Sequence, residues 1–174
     1  MGVHHVALAT NDVAATDRFY TDVMGFDLAK VEAVPTESGG WARHLFYDTH
    51  GSGMLAIWDI HDEPKVPDGF DPSISRGLGL PAWTNHLAFD AGSLDGLATH
   101  RDRWLAAGLD VAEMDHGWCT SIYLTDPNGI LVEFCATTAT FTDEDRTRAR
   151  RLLAEERPAV QPEGAITIHE AARR

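Results

Sequence analysis

The sequence predicts an α+β fold in which two βαβββ modules build a curved mixed sheet, followed by a C-terminal helix and tail. Three observations lead to this prediction: an internal repeat, apolar–polar alternation in its strand-like segments, and a length of 174 residues with 44% hydrophobic positions. A chain of this length buries a sizeable core but is too short for two comfortable independent domains. We therefore expect the paired modules to form one domain over residues 1–138.

The first copy of the repeat predicts a βαβββ module over residues 3–60. Residues 5–9 (HVALA) alternate with period two, which is typical of a strand with one buried face. Apolar residues recur at helical spacing from Asp12 to Met24. Three further strand-like runs lie near 26–34, 42–48 and 53–60.

The second copy follows the same order and predicts a module over residues 84–136. Residues 86–90 (HLAFD) correspond to the opening strand, and residues 93–107 form the second amphipathic segment. Three strand-like runs then lie near 109–114, 119–125 and 130–136. Residues 61–83, which contain four prolines, are expected to be an irregular linker or lid between the modules.

Polar residues stand where each predicted helix begins, and glycines stand where it ends. Asn11 or Asp12 can cap the first helix, and Ser93 the second. Gly25 and Gly108 suit the left-handed position that follows a helix.

Residues 139–174 lie outside the repeat and are expected to form a helix and a tail. The acidic run Thr142-Asp143-Glu144-Asp145 precedes three arginines, a charge order that favours a helix through its dipole. The tail is expected to begin beyond Pro158.

Composition excludes several classes of partner. A net charge of −13, from 27 acidic and 14 basic residues, repels nucleic-acid backbones and anionic membrane surfaces. The sequence has neither an apolar run long enough for a membrane span nor an N-terminal signal region, so we expect a cytoplasmic location. Cys119 and Cys135 lack metal-site spacing and are expected to be small buried hydrophobes.

Two histidines occupy equivalent positions of the repeat, on strand faces that are otherwise kept small. Alternation places His5 on the side of Ala7 and Ala9, and His86 on the side of Ala88. The bulky residues of both strands point the other way, where they should cover the helices. Both imidazoles are therefore expected to face a cavity lined by the sheet.

A single carboxylate, Glu133, interrupts the apolar last strand. A buried carboxylate needs a cation, a set of hydrogen bonds or an exposed edge. A metal ion held between two imidazoles would satisfy it. The sequence therefore predicts one divalent metal bound by His5, His86 and Glu133, which requires the three side chains to converge inside the curved sheet.

These residues resemble the vicinal oxygen chelate superfamily, which includes glyoxalase I, extradiol dioxygenases, methylmalonyl-CoA epimerase and fosfomycin and bleomycin resistance proteins. The resemblance covers residues 3–138, from the opening His-His-Val-Ala-Leu to Tyr123-Leu124-Thr125-Asp126-Pro127-Asn128-Gly129 before Glu133. It implies paired modules curled around a metal held by the three predicted ligands. It also implies a possible homodimer, because modules commonly pair across a dimer in this superfamily.

One departure from the family pattern helps to choose a reaction. Aligning Gly53 with Gly129 places Ile57 where glyoxalase I and the epimerase usually have a fourth ligand, Glu or Gln. Two histidines and one carboxylate are the facial set of non-haem Fe(II) enzymes. We therefore expect Fe(II), with Mn, Ni or Zn as alternatives.

A second feature resembles extradiol dioxygenases. Asp115-His116-Gly117, then Tyr123, then Glu133 is similar to their run of histidine, tyrosine and metal-binding glutamate. The resemblance implies that Tyr123 orients the substrate and that His116 acts as an acid or base. If residues 126–129 form a type I turn with Gly129 left-handed, Tyr123 lies opposite Glu133.

The first hypothesis is thus an extradiol-type dioxygenase that cleaves a catechol-like or other vicinal-oxygen small molecule with O2. The second is a lyase, isomerase or thiol transferase of the same superfamily that uses Mn, Ni or Zn. The third is a metal-free sequestering protein like bleomycin resistance proteins. Trp58, Phe70, Trp83 and Trp118 could line an aromatic pocket, whereas the solvated or structural histidines are expected to be His44, His50, His61, His100 and His169.

Overall fold

The computed structural model describes residues 2–160 and 164–173. Its first module contains β1 (His5–Thr10), α1 (Val13–Arg18), β2 (Asp27–Pro35), β3 (Trp41–Asp48) and β4 (Met54–His61). Its second contains β5 (His86–Asp90), α3 (Leu94–Ala106), β6 (Val111–Asp115), β7 (Cys119–Thr125) and β8 (Leu131–Thr137). The remaining elements are α2 (Ile74–Gly77), α4 (Asp143–Ala154) and β9 (Ile166–His169).

Both modules have the predicted βαβββ order, so the predicted fold class is confirmed. The first sheet has the strand order β1-β4-β3-β2, with β1 parallel to β4 and the other neighbours antiparallel. The second sheet has the order β5-β8-β7-β6-β9, with β5 parallel to β8. The ninth strand was not predicted, since a segment of four residues is too short to show a clear period.

The strands of one chain form two sheets rather than one continuous curved sheet. Both sheets turn one face toward a shared apolar core that also contains Leu97 and Trp104 of α3. Phe26 links the modules there, with its ring centroid 4.9 Å from Phe89 and 6.2 Å from Phe134. The opposite face of each sheet is open, and these faces carry the predicted metal ligands His5, His86 and Glu133.

The predicted helix boundaries are confirmed. The Asp12 side chain accepts a hydrogen bond from the Ala15 amide at 2.9 Å, and Ser93 caps α3 through Gly96. After α1, the chain continues as a π-helical turn over Phe19–Val23. Gly25 ends that turn with φ 76°, and Gly108 follows α3 with φ 81°.

The linker and the C-terminal segment carry only short or exposed elements. Strand β4 extends to His61, and residues 62–83 are irregular apart from α2. Helix α4 begins with a capping box between Thr142 and Asp145, as the acidic start predicts, and buries no residue. Within the described ranges, no helix has the length and hydropathy needed to cross a membrane.

Candidate metal site on the open sheet faces

Alternation along the second sheet separates its core residues from a polar face. Val132, Phe134 and Ala136 of β8 belong to the core cluster. The intervening residue Glu133 therefore points to the opposite side. We call this side the second-module face; its residues from β5, β7 and β8 are His86, Ala88, Ser121, Tyr123, Leu131, Glu133 and Cys135.

His86 and Glu133 meet on the second-module face. The His86 Nε2 atom lies 3.3 Å from the Glu133 Oε2 atom, and only 7% of the Glu133 side chain is exposed. The His86 Nδ1 atom lies 3.0 Å from the Trp83 carbonyl oxygen. Because a carbonyl only accepts, Nδ1 carries the proton, and in a neutral imidazole Nε2 then presents a lone pair.

Two acceptors therefore face each other across this short contact. A lone pair beside a carboxylate is unfavourable unless a cation lies between them or a proton charges the imidazole. Orientation of a histidine through its Nδ1 hydrogen bond to a backbone carbonyl is the usual support of a metal ligand. The donor set of this pair thus fits a divalent cation.

Ser121 holds the second oxygen of the carboxylate. Its hydroxyl donates to Glu133 Oε1 at 2.5 Å, and both residues are buried. With Oε1 engaged by Ser121, Oε2 remains directed at His86. Ser121 was not predicted as a site residue, because its contact with Glu133 depends on the β7–β8 register.

Tyr123 lies directly opposite Glu133 in the β7–β8 register, as the turn analysis predicts. Gly129 is left-handed with φ 76°, and its amide donates to the Asp126 carbonyl at 2.9 Å. The Tyr123 hydroxyl lies 2.8 Å from His116 Nε2. The structure therefore brings both predicted catalytic residues together beside the proposed ligand pair.

Burial raises the pKa of Tyr123 to about 12, and the negative charge of Glu133 adds to that shift, whereas a Ser121 hydrogen bond opposes it. The phenol therefore stays protonated near neutral pH. In that state its hydroxyl can donate a hydrogen bond to an acceptor.

A cavity of about 530 Å³ opens over these groups. Its polar lining consists of His86, His116 and Tyr123, and the remaining lining residues are Trp83, Ala112, Met114, Leu131, Gly164 and Ile166. The predicted aromatic residue Trp83 is therefore a wall of this cavity. Gly164 and Ile166 come from the tail, whose contribution sequence analysis missed.

His5 lies on the open side of the other sheet. Its ring is 5.7 Å from that of Phe46 and 6.3 Å from that of His44, and its Nδ1 atom is 2.8 Å from His4 Nδ1. We call this side the first-module face; its residues include His5, Ala7, His44, Phe46, Ala56 and Trp58. One chain therefore brings His86 and Glu133 together but not His5.

No set of three His, Cys, Asp or Glu side chains within residues 2–160 and 164–173 is arranged to hold a metal ion. Convergence of all three predicted ligands inside one chain therefore does not occur. The reason is that the two histidine-bearing faces belong to separate sheets that turn away from their shared core.

The predicted equivalence of Ile57 and Glu133 is wrong. His5 pairs with Met54 and Ala7 with Ala56, whereas His86 pairs with Leu131 and Ala88 with Glu133. The first-module counterpart of Glu133 is thus Ala56. Ile57 is fully buried in the core. The expectation that the first module supplies no carboxylate at this position is unchanged.

His44, which was expected to be solvated or structural, lies on the first-module face. The ring stacks on Trp58 with centroids 3.7 Å apart, and only 9% of the residue is exposed. Its buried Nε2 atom has no hydrogen-bond partner among the described residues. Burial lowers the pKa of His44, and the nearby His5 lowers it further.

Two of the other predicted aromatic residues lie away from the cavity. Phe70 lines a separate acidic pocket formed by the linker. Trp118 packs against Phe141 with centroids 5.1 Å apart. The aromatic lining predicted from sequence is therefore divided among several surfaces.

Comparisons with known proteins agree with this architecture. The uncharacterized protein YaeR of Escherichia coli (strain K12) is 24% identical over 131 residues, which are 75% of this chain and 92% of YaeR. A glyoxylase/bleomycin resistance protein/dioxygenase domain from Frankia sp. EAN1pec has a TM-score of 0.55 at 18% identity, covering 79% of this chain and 98% of that one.

The fosfomycin resistance protein FosX from Listeria monocytogenes has a TM-score of 0.52 at 18% identity, covering 84% of this chain and 98% of that one. These structural likenesses show a shared fold. Residues 2–134 match the sequence model of one family, which covers more than half of the chain. The chain therefore belongs to the Glyoxalase/Bleomycin resistance protein/Dioxygenase superfamily.

Proposed function

We propose that this protein is an Fe(II)-dependent, extradiol-type dioxygenase that cleaves a catechol-like substrate with O2. The observation that carries the proposal is the contact between His86 Nε2 and Glu133 Oε2 at 3.3 Å, in which the Nδ1 atom of His86 is already committed to a carbonyl. A cation between the two atoms would satisfy this contact, and His86 lines a cavity together with a phenol and a second imidazole.

The proposed ligand set is His5, His86 and Glu133. Two imidazoles and one carboxylate suit divalent iron and leave positions free for substrate. When bound, the metal would supply Lewis acidity that lowers the pKa of a coordinated diol. Ser121 would keep Glu133 in its binding orientation, and the Trp83 carbonyl would do the same for His86.

Tyr123 and His116 would handle the substrate. With a pKa of about 12, the Tyr123 hydroxyl is a hydrogen-bond donor at neutral pH and can hold a diolate oxygen. His116 Nε2, 2.8 Å from that hydroxyl, can accept a proton from the substrate or return one. The apolar side chains around them would help to keep water from the reacting ring.

A second copy of the chain would complete the site. Within one chain, the first-module and second-module faces turn away from a common core, so His5 lies apart from the other two ligands. The strands β1 and β5, which carry the two histidines, are each an edge strand of their sheet. In a symmetric homodimer, the first-module face of one protomer can cover the second-module face of its partner.

Anaerobic purification followed by metal analysis and a catechol panel tests the proposal. We expect iron, oxygen uptake with at least one catechol, and a yellow ring-fission product. The Glu133→Gln variant should lose most of the iron, whereas Glu144→Gln, which removes an exposed charge on α4, should retain it.

Other outcomes would select another function. Iron without oxygen uptake on any catechol would refute the dioxygenase assignment. Manganese, nickel or zinc with activity on a thiol adduct or an isomerisable substrate would instead support a lyase, isomerase or thiol transferase. Tight drug binding by protein that takes up none of these metals would support a sequestering protein.

A further inference from the structure

The C-terminal tail forms part of the cavity wall. Gly164 and Ile166 line the 530 Å³ cavity together with His86, His116 and Tyr123. The tail lies beyond residues 2–134, the part of the chain that matches the family. This part of the wall therefore lies outside the family match.

The tail is fixed to the second sheet by strand pairing. In β9, Ile166 pairs with Met114 of β6, and Ile168 pairs with Ala112. Alternation thus places both isoleucines on the same side of the sheet as Met114 and Ala112. Met114 and Ala112 also line the cavity. The wall consists of a hydrogen-bonded strand rather than a free segment.

Polar contacts on the other side of the strand hold it in place. His169 Nε2 lies 3.1 Å from Glu113 Oε2, and Arg101 donates to the same oxygen at 2.8 Å. The Ala171 amide donates to Asp110 Oδ1 at 2.8 Å. These contacts are made by side chains of α3 and of the segment around β6, so the tail is tied to the module that bears the ligand pair.

Gly164 allows the tail to enter at close range. A Cβ atom at this position would lie 2.0 Å from the Asp115 carbonyl oxygen, a distance that no side chain tolerates. Only glycine lets the backbone pass this point without displacing β9. The glycine at position 164 therefore allows the tail backbone to pass close to Asp115 and reach the cavity.

We propose that β9 determines substrate specificity and selects a diol with a neutral, apolar substituent, which packs against Ile166. This proposal rests on the proposed function for the diol part of the ligand. The polar groups of the cavity, His86, His116 and Tyr123, would hold the two oxygens. The substituent would lie among the apolar lining side chains Trp83, Met114, Leu131 and Ile166.

Charge supports a neutral substituent. Among the described residues, the lining of this cavity includes no lysine or arginine, so an anionic substituent would find no counter-charge there. The net charge of −13 also disfavours a second anionic group. A phenyl or alkyl substituent instead gains free energy by leaving water.

The chain offers a matched pair of variants for the test. Ile166 and Ile168 lie on the same strand and the same side, and each is 58% exposed. Ile166 lines the cavity and Ile168 is not among its lining residues. Because both side chains are exposed, neither Ile166→Ala nor Ile168→Ala is expected to prevent folding.

Anaerobic calorimetry on the full chain measures binding of 3-phenylcatechol, catechol and 3,4-dihydroxybenzoate without turnover. We expect the wild type to prefer 3-phenylcatechol. Ile166→Ala should weaken the binding of 3-phenylcatechol by about fivefold, because a few buried methyl groups are lost. The affinity for catechol should stay nearly unchanged. Ile168→Ala should change neither affinity by more than about twofold.

Equal effects of the two substitutions, or no preference of the wild type for 3-phenylcatechol, would overturn the proposal. Oxygen uptake measured in parallel separates this proposal from the proposed function. If catechols are turned over but Ile166→Ala does not change the binding preference, only the role of β9 in specificity is refuted. If the diols bind with the expected preference but none is turned over, only the proposed dioxygenase activity is refuted.

Discussion

Tyr123 and Glu133 lie directly opposite each other on β7 and β8, with both side chains on the face that carries His86. The three-residue turn between the strands sets this register, because Gly129 takes the left-handed conformation that its bulge requires. A change of one residue in the turn would direct one of the two side chains into the core.

The Ser121 hydroxyl is expected to support metal binding through Glu133. Ser121→Ala removes the donor that lies 2.5 Å from Oε1, so the carboxylate loses its fixed orientation. We expect about a 10- to 100-fold weaker metal affinity, as is usual for loss of a group that orients a ligand. A competition titration with a chelator measures this change.

Thr120→Ala is the matched control, since Thr120 is the neighbour of Ser121 on the same strand and points to the other side. An unchanged affinity in Ser121→Ala would contradict the proposed role of Glu133 as a ligand.

Mixing two inactive variants tests whether the site is shared between protomers. In the proposed dimer, His5 of one protomer joins His86 and Glu133 of its partner. A heterodimer of a His5→Ala chain and a Glu133→Gln chain then contains one intact site and one doubly defective site. Random exchange of equal amounts should restore about a quarter of the wild-type metal content and activity.

Each variant alone should have little metal and little activity. If the mixture also stays inactive although mass spectrometry shows heterodimers, the shared site is refuted. Mixing wild type with each variant calibrates the exchange.

The Tyr20 hydroxyl is expected to stabilise the turn that aligns Tyr123 with Glu133. Tyr20 is fully buried and donates to Asp126 Oδ2 at 2.9 Å. Tyr20→Phe leaves the buried carboxylate without this donor, which should lower the free energy of unfolding by about 1–3 kcal/mol. Urea denaturation gives this value.

Tyr47→Phe provides the comparison. Its hydroxyl donates to Asp17 Oδ1 at 3.0 Å, but Asp17 is only partly buried and water can replace the donor. We expect a smaller loss of stability than in Tyr20→Phe; the reverse order would contradict the turn-anchoring role.

His100 is expected to make the fold sensitive to acid. Its ring stacks on Phe134 at 3.6 Å, and burial lowers its pKa to about 4, with a further decrease from Arg103. The unfolded chain, with a histidine pKa near 6.5, therefore binds more protons than the folded chain between these values. This contribution to stability is complete above about pH 6.5 and is lost as the pH falls toward 4.

Because His100 is only half-buried, we expect a loss of about 1 kcal/mol. His100→Gln should flatten the decline of the urea midpoint between pH 6.5 and 4. A decline in His100→Gln as steep as in the wild type would contradict this role of His100.

Local sequence patterns were sufficient to predict the two modules and the strand faces that carry His86 and Glu133. Period-two alternation placed His86 and Glu133 on the strand face opposite the core side chains. Glycines after the helices indicated where these segments end. The turn before Gly129 was sufficient to predict that Tyr123 faces Glu133. All of these features depend on residues near one another in the chain, where steric and hydrogen-bonding preferences are strong.

The way in which distant segments meet depends on tertiary contacts that local patterns do not specify. The parallel pairing of β1 with β4 made Ala56, not Ile57, the counterpart of Glu133, because pairing across a helix and two strands is not fixed by a local turn. The pairing of β9 with β6 depends on contacts between segments far apart in sequence. Alternation assigns a face to each histidine, but the shared core sets the orientation of the two modules and so separates His5 from His86 and Glu133.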